Sequence, residues 1–193
     1  MKKKESKGNW FLILLAVIVL VVFFAFYNVI DLYVNSGVPS IRTNFFTDLM
    51  IAFSFIGEWY VLGVLTAIVC VILIFNKDNK SAFFIAASMI IGLILELLFK
   101  DIIHRARPLG ALVLENSFSF PSAHAAMTTI FFLCSYFILK KNFGNRLSLK
   151  IFCIAMPMII GFSRIYLGVH WVSDVIAGFV LGVAVPLVVK RFF

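Results

Sequence analysis

The chain has 193 residues, of which 63% are hydrophobic and 13% charged, with a mean hydropathy of +1.07 and a net charge of +8. A soluble domain is nearer half apolar and a quarter charged, so this composition excludes an ordinary soluble globular protein. It reads as one membrane-embedded domain over residues 1–193, and its positive charge is not a nucleic-acid footprint, because the Lys and Arg residues sit in short connectors between apolar runs.

Six stretches approach the about 20 apolar residues that a membrane-spanning helix needs. They are residues 10–30, 59–75, 82–99, 122–139, 149–166 and 171–189. The expected fold class is all-α, an integral membrane bundle of six transmembrane helices. The first run follows Lys2, Lys3, Lys4 and Lys7. It is longer than the roughly 7–15-residue apolar core of a secretory signal, and no small-x-small cleavage site follows, so it reads as a retained span. Between the first two runs come turn formers (Asn35, Gly37, Pro39) and then Phe45, Phe46, Leu49, Met50 and Phe53 at helical spacing. That pattern predicts a short interfacial helix. Cys70, Cys134 and Cys153 lie inside apolar runs with no CxxC pair, which suits small buried hydrophobes rather than a disulfide framework or a zinc site. Gly110 and Gly168 are isolated and read as turns.

Basic residues orient the bundle. One set of helix ends carries twelve Lys and Arg residues, among them Lys2, Lys77, Lys140, Lys150 and Lys190; the other carries Arg42, Lys100, Arg105, Arg107 and Arg164. The excess of positive charge on the cytoplasmic side places both termini in the cytoplasm. It also brings three unusually polar stretches to the extracytoplasmic face. These are Lys100 to Pro108, Pro121 to His124, and Ser163 to Asp174.

Charged groups beside lipid are costly and usually mark a working site. Phosphoryl transfer needs an in-line nucleophile, cations around the phosphate oxygens and an acid for the leaving oxygen. His170 and Asp174, at i and i+4, can share one helix face, the carboxylate fixing the tautomer of the imidazole. Lys100, Arg107 and Arg164 supply positive charge, arginine as a planar fork and lysine as a point charge. Arg105 suits interfacial snorkelling. Glu96 lies one turn before Lys100 and can pair with it. Ser122 and His124 follow Pro121 at a helix start, where free N–H groups attract anions, and His124 is placed to act as an acid.

The order Lys100-x6-Arg107-Pro108, Pro121-Ser122-Ala123-His124, Ser163-Arg164-x5-His170-x3-Asp174 resembles the membrane lipid phosphatases of the type 2 phosphatidic acid phosphatase superfamily. The resemblance covers about residues 96–180. The stretches from Phe118 to His124 and from Ser163 to His170 are similar to the bacterial phosphatidylglycerophosphate phosphatase branch. The resemblance implies a phosphohistidine on His170, orientation by Asp174, general acid catalysis by His124, and phosphate binding by Lys100, Arg107, Ser122, Ala123 and Arg164. It implies neither metal nor other cofactor. The implied substrate is a phospholipid or isoprenoid lipid phosphate, for example phosphatidylglycerophosphate, phosphatidate or undecaprenyl pyrophosphate, met at the cell membrane by a multi-pass protein. Ala123 departs from the family's usual Gly, keeping the N–H but adding a methyl. Two alternatives remain open from the residues: transfer of the phosphoryl group to a lipid hydroxyl instead of water, and non-catalytic binding or transport of an anionic lipid.

Overall fold

A computed structural model describes residues 28–192. Every regular element among them is helical. Residues 28–37 form a helix that runs into a 3-10 turn, Val38–Ile41. Six further helices follow: α1 (Asn44–Ile56), α2 (Trp59–Phe75), α3 (Asn79–Ile103), α4 (Ala123–Phe143), α5 (Leu147–Tyr166) and α6 (Val172–Val189). Four segments, Asn79–Ile103, Ala123–Lys141, Leu147–Tyr166 and Val172–Phe192, are long and apolar enough to cross a membrane. Helices α1 and α2 pass the same test only together, across a 48° bend. The first expected span, residues 10–30, lies outside the described residues apart from 28–30. The described residues therefore account for at most five spans.

Local chemistry explains where the helices start and stop. Thr43 caps α1 by accepting the Phe46 N–H, so a helix forms where the short interfacial one was expected. Its apolar residues do not all face inward: Met50 is buried, whereas Phe45 and Phe46 are exposed. Asp78 caps α3 by accepting the Ser81 N–H and hydroxyl. That cap begins α3 three residues before the apolar run, and the helix continues through Lys100 to Ile103. His104, in the left-handed conformation, ends it. Ser122 caps α4, accepting from Ala125 N–H. Gly110 and Gly168 both have positive φ, as turn positions require.

Helix α4 is the central element. It packs against α3, α5 and α6, and 61% of its spanning window is buried, against 33% for α5. The approach of α6 to α4 depends on Gly178 and Gly182, a small-xxx-small pair. A Cβ on Gly178 would lie 2.6 Å from the Ser122 carbonyl oxygen, and one on Gly182 would lie 2.5 Å from Thr129 Cβ. This close packing lets Ser122 N–H donate to the Asp174 carbonyl at 3.0 Å. The starts of α4 and α6 are thereby joined.

Candidate active site

The three polar stretches converge on one end of a cavity of about 650 Å³. Its body runs between α2 and α3, along Leu62, Met89, Ile90, Leu93 and Leu97. Its polar end is lined by Glu58, Glu96, Lys100, Arg107, Glu115, Ser117, Ala123, His124 and His170. An apolar slot closed by convergent polar groups is the usual form of a site for an amphiphilic small molecule.

Lys100 stands near the end of α3. The expected pair with Glu96 forms at 2.9 Å, and the ammonium also donates to Ser117 Oγ at 3.0 Å. Arg107 lies in the loop after α3, its guanidinium fixed on several sides. Nε donates to the Ser117 carbonyl at 2.7 Å, and Nη1 donates to the Val169 carbonyl at 2.8 Å. Nη1 also lies 3.2 Å from His170 Nε2. Arginine is always a donor, so His170 Nε2 accepts and the ring proton sits on Nδ1. Nδ1 faces Asp174 Oδ2 at 3.5 Å, near enough for charge interaction but without hydrogen-bond alignment. Burial, then the positive surroundings of Arg107, Arg164, Lys100 and His124, holds the His170 imidazole well below its ordinary pKa. A neutral ring with its lone pair at Nε2 is the nucleophilic form.

His124, in the first turn of α4, brings Nε2 to 3.5 Å from Glu58 Oε1. Gly57 permits this: a Cβ there would lie 2.6 Å from the His124 ring. Among the described residues, His124 Nε2 and His170 Nδ1 are both buried without a hydrogen-bond partner. Ala123 lines the cavity beside His124, whereas Ser122 and Asp174 are fully buried behind it.

Arg164 also sits behind the cavity wall, 1% exposed. It pairs through Nη2 with Glu115 and donates through Nη1 to Ser54 Oγ at 2.5 Å. Glu115 reaches Arg107 as well, at 3.7 Å. Burial alone would raise the Glu115 carboxyl, but the charges of Arg164 and Arg107 outweigh it and hold the group below the ordinary carboxylate range. Arg105 does not snorkel. It turns inward to Asp174 at 2.5 Å and Asp31 at 2.6 Å, because two buried carboxylates need a counterion more than the interface needs an arginine.

Of the residues expected from the sequence, Lys100, Arg107, Ala123, His124 and His170 line the cavity, Ser122, Arg164 and Asp174 stand behind it, and Glu58, Glu115, Ser54 and Asp31 were passed over. The rule that flagged the cations applies equally to acids. The chain has only nine Asp and Glu residues, and each one beside an apolar run was a candidate. Among the described residues, no group of three or more His, Cys, Asp or Glu side chains is arranged to hold a metal ion.

Comparison with known proteins places the chain in a family. The chain is 38% identical over 104 residues to phosphatidylglycerophosphatase B of Bacillus subtilis, a match covering 51% of each protein. It is 30% identical over 141 residues to undecaprenyl-diphosphatase of Sulfolobus acidocaldarius, covering 69% of this chain and 64% of that one. The matches thus span about half to two thirds of the length of these relatives. In structure, the chain is similar to the transmembrane PAP2-type phosphatidylglycerolphosphate phosphatase from Bacillus subtilis, with a TM-score of 0.79 and 26% identity over 89% of this chain and 94% of that one. It shares its fold with Aquifex aeolicus LpxE, with a TM-score of 0.66 and 22% identity over 83% and 94% of the two chains. The sequence profile of the PAP2 superfamily matches residues 81–193, which include all three polar stretches. A match over more than half of the chain establishes that this protein belongs to the PAP2 superfamily.

Proposed function

We propose that the protein is a lipid phosphate phosphatase that works through a phosphohistidine. The observation carrying this reading is the cavity, in which an apolar slot between α2 and α3 ends at two imidazoles, a lysine and an arginine. An acyl or isoprenoid tail suits the slot, and a phosphate suits its polar end. The names of the relatives, phosphatidylglycerophosphatase B and undecaprenyl-diphosphatase, support the same substrate class.

In this reading His170 Nε2 attacks phosphorus and the bond to the leaving oxygen breaks. His124 donates a proton to that oxygen, releasing a lipid alcohol, or a lipid monophosphate from a pyrophosphate. The phosphorylated imidazole carries its proton on Nδ1, facing Asp174. Lys100 and Arg107 balance the charge on the phosphate oxygens. His124 then takes a proton from water, which attacks phosphorus, and inorganic phosphate leaves with His170 restored. Ser122 and Ala123 contribute the helix start. Arg164 joins the phosphate once Glu115 gives way. No step is assigned to a metal. The six apolar runs support six spans, and the distribution of basic residues supports cytoplasmic termini and an extracytoplasmic site.

The test is phosphate release from mixed micelles of phosphatidylglycerophosphate, phosphatidate or undecaprenyl pyrophosphate. Wild type should release phosphate from at least one, with or without a chelator, and His170→Ala should not. Binding without release for all three would favour an anion-binding role.

A further inference from the structure

Behind Asp174, on the side away from the cavity, three side chains that the chemistry above does not use, Arg105, Ser173 and Asp31, close a ring with its carboxylate. Arg105 Nη1 donates to Asp174 Oδ1 at 2.5 Å and to Ser173 Oγ at 2.6 Å. Arg105 Nη2 donates to Asp31 Oδ2 at 2.6 Å. Asp31 accepts the Ser173 N–H at 2.9 Å through Oδ1 and the Ser173 hydroxyl through Oδ2. Ser173 immediately precedes Asp174, so the ring closes on the first turn of α6. Asp31 is 2% exposed and Asp174 is 0% exposed.

This is an expensive arrangement. Two buried carboxylates share one guanidinium, and buried charge is tolerated only where it is closely paired. Asp31 sits in the helical segment 28–37, far from α6 in sequence. A fold that needed only packing there would be served by apolar residues.

The charge balance suggests what Asp31 does. If Arg105 faced Asp174 alone, the pair would be neutral and His170 would have a cancelled partner. Asp31 adds a second carboxylate to the one guanidinium, so the formal charge of these side chains behind the imidazole is one net negative. The cationic groups that act most on His170, namely Arg107, Arg164, Lys100 and His124, disfavour a cationic ring. Attack on phosphorus makes the imidazole cationic, with its proton on Nδ1 beside Asp174. A net negative cluster stabilises that cation, and a neutral one does so far less. Asp31 also holds Arg105 by its second nitrogen, so the guanidinium keeps Asp174 in place without swinging round to grip it with both nitrogens.

We propose that Asp31 is a positioning residue for the reaction: through Arg105 and Ser173 it fixes the Asp174 carboxylate and keeps net negative charge behind His170. The proposal rests on the phosphohistidine reading above.

Asp31→Asn tests it in the full chain, with a lipid phosphate that wild type hydrolyses. The variant preserves shape and removes the charge. Expected is a fall in kcat of roughly 10- to 100-fold, the scale on which partners that orient a working imidazole act. KM and the inhibition constant for vanadate should stay within about twofold, because Lys100 and Arg107 are untouched. Rapid-quench trapping should show slower phosphoenzyme formation. Wild-type kcat in Asp31→Asn overturns the proposal, as does an equal loss of kcat and vanadate affinity, which marks a general loss of structure. If Asp31→Asn does not fold, Ser173→Ala decides: a fall in kcat at constant KM is expected, and an unchanged kcat overturns the proposal. His170→Ala run alongside separates the two ideas, since full turnover by that variant defeats the phosphohistidine reading itself.

Discussion

Arg107 Nη1 lies 3.2 Å from His170 Nε2 while the same nitrogen donates to the Val169 carbonyl at 2.8 Å. The guanidinium is therefore held against the lone pair of the nitrogen proposed to attack phosphorus, and a phosphate entering the cavity would meet both at once. Nε and Nη2 are also engaged, by the Ser117 carbonyl and hydroxyl. Arg107→Ala should lower kcat/KM by about 10²–10³, the range for losing one preorganised donor. Arg107→Lys should recover only part of this, because one ammonium cannot span the same acceptors. Steady-state kinetics on both variants checks the order wild type, Lys, Ala.

The pKa of His170 has a sign that can be measured. Burial, followed by the surrounding cations, depresses it. The folded protein then binds the proton less readily than the unfolded chain, whose imidazole titrates near 6.5. The stabilisation is present above the unfolded value and is lost as pH falls through the lower, folded one. Nitrogen-15 NMR of histidine-labelled protein should show the His170 ring neutral at pH 6.5, with the proton on Nδ1. A ring mostly protonated at that pH contradicts the assignment.

Glu115 occupies the arginines that a phosphate would use. Its carboxylate pairs with Arg164 and lies 3.7 Å from Arg107. Glu115→Gln should remove this competitor and tighten vanadate inhibition severalfold. It should also destabilise the ligand-free protein, by about 3–5 kcal/mol at most, because Arg164 is left buried with a neutral partner. Inhibition constants and thermal unfolding with and without vanadate separate the two effects.

These assignments also mark how far sequence alone reaches. Apolar runs of spanning length located α3 to α6, since their lengths follow from lipid thickness. Capping moved the ends: Asp78 extended α3 backwards, and its C-terminal turn continued past Lys100. His124, His170 and Lys100 were legible because charge and imidazole stand out in an apolar chain. The pair Glu96–Lys100 was legible because it is local. Contacts across long separations were not. Ser54 meets Arg164 over 110 residues and Asp31 meets Ser173 over 142, and no periodicity encodes either. The inward turn of Arg105 follows from Asp31, so it stayed hidden for the same reason.

The α4–α6 contact is a separate point of attack. Gly178→Val would place its Cβ 2.6 Å from the Ser122 carbonyl oxygen and 2.9 Å from Ala125 Cβ. The helices must separate, weakening the Ser122 N–H to Asp174 carbonyl bond. Expected is a destabilisation of about 1–3 kcal/mol with loss of activity. A Gly178→Ala variant should lose less of both. Thermal unfolding in detergent and phosphate release report the two quantities.

Identification of the phosphorylated residue tests the central claim most directly. Rapid acid-free quenching of wild type with a radiolabelled lipid phosphate, followed by peptide mapping, should find an acid-labile, base-stable phosphate on His170. Label on another side chain, or full turnover with no label on His170, would contradict it.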